Sequence, residues 1–72
     1  SNTNTELSYL EIELEAKESL LSQMEIDIEK IVTNARPKCE GGSVSVTVDK
    51  TLLNDLREEI SELEKKIAQI KR

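Results

Sequence analysis

Histidine, phenylalanine and tryptophan are absent from these 72 residues, and cysteine, proline, methionine and tyrosine occur once each. Without histidine the usual proton carrier near neutral pH is missing, as are the ligands that complete most zinc and di-iron sites. Cys39 has no second cysteine with which to close an internal disulfide. That usage fits a reducing compartment, so we expect an intracellular protein, cytoplasmic or nuclear. The longest wholly apolar run is two residues, whereas a membrane helix needs about 20. No signal peptide is visible, and no membrane partner is expected. Positive charge is also scarce: 10 Lys and Arg face 15 Asp and Glu, a net charge of −5. Nucleic acid is therefore excluded as the main partner, because phosphate binding needs a basic face.

What remains is 36% apolar and 35% charged residues, enough for one small module spanning 1–72. A chain of roughly 60 residues buries only about 60% of its unfolded surface, so help from another chain is expected. The sequence opens on Ser1-Asn2-Thr3-Asn4 rather than Met. We expect a segment of a longer protein, with Ser1-Asn2 left by tag removal.

Apolar residues recur at alternating spacings of three and four at Leu7, Leu10, Leu14, Leu21, Met24, Ile28, Ile31 and Ala35, interrupted only by Lys17 at a d position. Thr3 and Glu6 have capping-box spacing, and Asn34 and Pro37 are stop signals, Pro37 by biasing Arg36 away from helical geometry. These features predict a helix over about 4–35. A second run, Leu53, Leu56, Ile60, Leu63, Ile67 and Ile70, fills a and d without exception. Asp49 as N-cap and Val48 packing on Leu53 as a hydrophobic staple predict a helix over about 50–71. Between them, Glu40-Gly41-Gly42 reads as a turn, and Ser43–Val48 alternates Val44, Val46 and Val48 with Ser or Thr, the pattern of a short β-strand. Its neighbour is expected to be either Ala35–Cys39, limited to an edge by Pro37, or the same strand of a second chain.

Charges beside the seam set the helix orientation. A parallel homodimer would place Glu59 against Glu64, Lys66 against Lys71, and Glu13 against Glu18. An antiparallel hairpin brings Glu25 to Arg57 and Glu11 to Lys71, while setting Asp27 against Glu59 and Glu18 against Glu64, with Ile28 on Leu56 and Leu21 on Leu63. Residues 1–35 carry eight acids and two bases, and residues 49–72 carry six of each, so the helices are complementary in charge. The expected fold is an all-α antiparallel two-helix coiled-coil hairpin with a short β-strand in the connection. Leu20, Val32 and Leu52 widen its apolar faces. Tyr9, Ile12 and Ile26 lie on the outer side of the first helix, and with Val44, Val46 and Val48 they form a candidate second interface. Closure as a four-helix assembly is expected.

The order helix, short strand, helix resembles prefoldin-type chaperone subunits in architecture alone. No residue motif carries that likeness, and the chain is not assigned to the family.

Candidate chemical sites are few. Glu11, Glu15 and Glu18 share one side of a helix but read as a solvated acidic face, and no metal or cofactor is assigned. Lys17 reads as a snorkelling side chain reaching Glu13 or Glu18, which is compatible with a role in setting register. Cys39 beside Lys38 reads as an incidental thiol, Gly41-Gly42 as a turn rather than a phosphate loop, and Lys65, Lys66, Lys71 and Arg72 as a solvated helix end. The expected function is non-catalytic: a coiled-coil oligomerisation or subunit-assembly module whose protein partner is either its own copies, as a dimer or tetramer, or a heteromeric coiled-coil partner. The alternative is a monomeric helix- or peptide-binding adaptor or chaperone-like subunit.

Overall fold

Two helices account for nearly all the regular structure in a computed structural model that describes residues 2–35, 37 and 40–72: α1 (Asn2–Asn34) and α2 (Thr51–Ile70). They pack against each other as a hairpin, forming a rod 65 × 15 × 14 Å. Its radius of gyration, 18.4 Å, is far above the roughly 11 Å of a globular chain of this length. A rod follows from the heptads, because a single stripe of apolar residues has one face to bury and nothing with which to build a second layer.

α1 begins earlier than expected. Thr3 lies inside the helix, so the Thr3/Glu6 pair is not its capping box. At the other end Asn34 stays helical rather than taking the left-handed cap conformation. The terminus instead tightens by one turn of 3₁₀ type, in which the Ala35 N–H donates to the Val32 carbonyl at 3.3 Å. The expected influence of Pro37 on Arg36, and the expected free thiol of Cys39, fall outside the described residues.

In the connection only Gly41 has a positive φ, 78°, among the described residues, and it forms the turn with Glu40. The expected β-strand over Ser43–Val48 is not formed, and no strand occurs among the described residues. Alternation supplies a strand-like face, but a strand also needs a neighbour to take its ladder hydrogen bonds. α1 runs to Asn34, and Pro37 has no N–H to give. Val44 and Val46 are exposed and Val48 is half-buried.

α2 starts one residue later than the sequence suggested. Lys50 is its cap, with a carbonyl that accepts the Asn54 N–H at 2.9 Å. Asp49 still serves the terminus, from one position earlier. Its Oδ1 accepts the Thr51 N–H at 2.9 Å and the Thr51 hydroxyl at 2.7 Å, an Asx-turn that satisfies one orphan donor of the first turn. The Thr51 hydroxyl, and after it the Thr51 N–H, hold the Asp49 carboxyl below its ordinary value, with desolvation acting weakly the other way.

Because the folded-state value is depressed, the stabilisation from Asp49 is fully present above the unfolded-state value and is lost as pH falls through the folded one. Asp49→Ala is therefore expected to lower the thermal midpoint near neutral pH, with the gap to the parent closing as the solution is acidified below the ordinary carboxylate range. Parallel melts by circular dichroism check this, and a gap that widens in acid contradicts it.

The core is lopsided. Leu53, Leu56, Ile60, Leu63 and Ile67 of α2 are buried at 4–8% exposure, whereas Leu7, Leu10, Leu14, Lys17, Leu21, Met24 and Ile28 of α1 are only half-buried. Ile31, expected in the seam, is instead 56% exposed. The register explains this. Leu7 and Leu10 are half-buried, so α2 must reach them, and Met24 shares a surface hollow with Leu52 and Leu56. The helices are thus displaced by about one heptad from the layering of Ile28 on Leu56 and Leu21 on Leu63. Leu21 comes level with Leu56, Leu14 with Leu63, and the last turns of α1, with Ile31, run past the start of α2.

Electrostatics favour this slip. The expected register sets Asp27 against Glu59, two like charges. In the observed structure Asp27 accepts from Gln23 Nε2 at 2.9 Å, and Glu59 instead takes the Lys17 ammonium at 3.0 Å.

Candidate interaction surface

The two flanks of the seam differ. On one, α1 and α2 are linked by Arg57 to Glu25 at 3.5 Å and Lys71 to Glu11 at 3.8 Å, the two pairs that the sequence placed together. They form despite the register slip because helical side chains lean toward their own N-terminus. In antiparallel helices the two partners therefore lean toward each other. All four groups are about half exposed, so each pair contributes at most about 1 kcal/mol and serves orientation more than stability.

The other flank holds Lys17. Its ammonium lies 3.0 Å from Glu59 and 3.9 Å from Glu13, with the side chain 27% exposed. Of the two partners expected, Glu13 is engaged. Glu59, on the other helix, escaped the sequence reading because it becomes a neighbour only in the slipped register. Glu13, Glu59, Glu62, Leu63 and Lys66 surround the amine in a small polar hollow.

Further along the same flank the lining turns apolar. Leu20 and Met24 of α1 and Leu52 and Leu56 of α2, with Asp55 and Glu59 at the edge, enclose an open hollow of about 440 Å³. Leu20 is 54% and Leu52 73% exposed. Both occupy g positions, where a self-sufficient coiled coil carries charges. Leu52 was legible in the sequence as a flanking apolar residue, but the hollow it lines with Leu20 and Met24 was not.

The outer residues of α1, Tyr9, Ile12 and Ile26, are exposed, as are Val32, Val44 and Val46. They do not form one stripe. Tyr9 lies toward the Leu20 side of the helix, whereas Ile12 and Ile26 lie on its back. Among the described residues no large side chain is fully buried, no group of three or more Asp, Glu, Cys or His side chains is arranged to hold a metal ion, and no helix is long and apolar enough to cross a membrane.

Helical hairpin is the class that this fold defines. Comparison with protein-family models, with curated proteins and with solved structures gives no match for the chain.

Proposed function

We propose that this chain is a non-catalytic assembly module, which joins protein subunits by packing its hairpin against other helices. The observation that carries the reading is the balance of burial. Nine large apolar side chains stand exposed among the described residues, while α1 leaves its half of the seam only partly covered. The contiguous part of this apolar surface, where Leu20 and Leu52 border one hollow with Met24 and Leu56, supports an association face. In this reading the heptad seam serves the chain's own closure, and the flanking and outer apolar residues serve the partner. Association of hairpins as a four-helix assembly covers them. The valine segments of two chains then pair across the two-fold axis and satisfy one another's backbone groups.

Light-scattering mass after gel filtration across micromolar concentrations, with circular dichroism to report helicity, tests the module. A helical dimer or tetramer is expected. Val46→Pro, which removes a donor from the valine segment, is expected to weaken the oligomer without unfolding the hairpin. A fully helical monomer that melts cooperatively by itself would contradict self-assembly.

A further inference from the structure

We infer that the hairpin has a second alignment one heptad away, and that the charges facing Lys17 act as the catch between the two; this does not depend on the assembly reading above. α1 has 33 residues and α2 has 20, so α1 is a track longer than the helix that lies on it. In the observed alignment Leu7 and Leu10 are half-buried at one end, while Ile31 stands 56% exposed at the other. Sliding by seven residues, about 10 Å, keeps each α2 seam residue opposite a seam position of α1. It trades Leu7 and Leu10 for Ile28 and Ile31. Exchanging two leucines for two isoleucines leaves the buried apolar area nearly unchanged.

The connection permits the slide. Residues 42–50 form neither helix nor strand, so no ladder of hydrogen bonds ties them to one alignment. The stretch between the helices, 35–50, spans about 50 Å when extended, and a change of about 10 Å in its path is within reach.

Charge decides between the alignments. Glu59 and Lys66 both occupy g positions, seven residues apart and opposite in sign. A slide of one heptad therefore takes the Lys17 ammonium from Glu59, now 3.0 Å away, to Lys66, which lines the same hollow. It also brings Asp27, now bonded to Gln23, against Glu59. One attraction is lost and two repulsions are gained. Exposed contacts of this kind are each worth about two- to fivefold in an equilibrium constant, so together they favour the observed alignment by about ten- to a hundredfold, with the second as a minor state. Sliding moves the uncovered apolar pair from the connection end of the rod to the open end. A partner that grips Leu7 and Leu10 selects the second alignment, and one that grips Ile31 selects the first.

The experiment measures the distance between spin labels at Ser8→Cys and Ser61→Cys, two exposed positions, on the full chain carrying Cys39→Ser. Labelled chain is diluted in unlabelled chain, so that only distances within one chain are read. The second alignment lengthens the separation by about 10 Å along the rod. The deciding variant exchanges two charges, Glu59→Lys with Lys66→Glu, which keeps the net charge of −5 and reverses all three contacts. The parent should show the shorter distance, and the exchanged variant chiefly the longer one at parent-like helicity. A helical exchanged variant that keeps the shorter distance overturns the inference. Should that variant fail to fold, Glu59→Gln decides. Removing the bridge and one repulsion should raise the ratio of long to short distances at least about fourfold, and an unchanged ratio overturns the inference.

Discussion

Leu63→Asp is expected to abolish the helical signal of this chain at 25 °C rather than merely to separate subunits. Leu63 is 5% exposed, within the run of five buried residues that makes up the whole of the buried core among the described residues. An ionised carboxylate there borders the hollow of the Lys17 ammonium, but that amine is already paired with Glu59 and Glu13, and bringing a charge out of water without a partner of its own costs several kcal/mol. Total stability for a chain of this length is on the order of 5 kcal/mol, so the substitution consumes most or all of it. Leu63→Ala, which removes only apolar volume, should cost about 2–5 kcal/mol and leave a weakened but cooperative transition. Denaturant titration followed at 222 nm, the usual wavelength for helix, checks both. Parent-like helicity in the Asp variant is incompatible with a seam closed within the chain.

The second large effect is expected at Lys17. In Lys17→Glu the ion pairs to Glu59 and Glu13 are lost, and a fourth carboxylate joins Glu13, Glu59 and Glu62 around one groove. Exposed pairs contribute below about 1 kcal/mol, but this amine is more enclosed than the other bridging groups, and like charges are added. A loss of about 1–3 kcal/mol is expected, partly recovered by salt because the new term is repulsion. Lys17→Met is expected to act in the opposite direction on stability, since an apolar side chain at this d position adds to the buried seam. Its cost falls on register, because the contact that distinguishes the observed alignment from the one displaced by a heptad is the Lys17–Glu59 bridge. Cysteine pairs placed for disulfide formation in one register or the other read this directly: Lys17→Met should admit both cross-links, the parent one. If Lys17→Glu is as stable as the parent at every salt concentration, Lys17 has no part in fixing alignment.

These expectations trace how far the sequence carries. Alternation of three and four fixes which residue joins the seam, because that spacing is a property of the α-helix itself. It does not fix which layer meets which. A repeat of seven looks the same after a shift of seven, and both alignments pair six layers, so the choice falls to a few charges whose geometry appears only in three dimensions. Glu59 is the example: in sequence it confronts Asp27, and in the structure it holds Lys17.

The valine segment failed for a related reason. Ser43–Val48 has the composition of a strand, but strand formation is a statement about a neighbour, and none is paired with it among the described residues. At the termini, Asp49 was legible as a helix-start signal while its position relative to the cap was not, since an aspartate serves equally well as a cap or as an Asx-turn one residue earlier.

By itself, then, the sequence determined two amphipathic helices, their antiparallel order and the Glu25–Arg57 and Glu11–Lys71 pairs, all consequences of helical periodicity and of charges a fixed number of residues apart. Only the tertiary structure decided the slipped register, the exposure of Ile31, the bridge from Lys17 to Glu59 and the hollow that Leu20 and Leu52 both border. Those depend on how far one helix slides along the other, a variable to which a repeating pattern is blind.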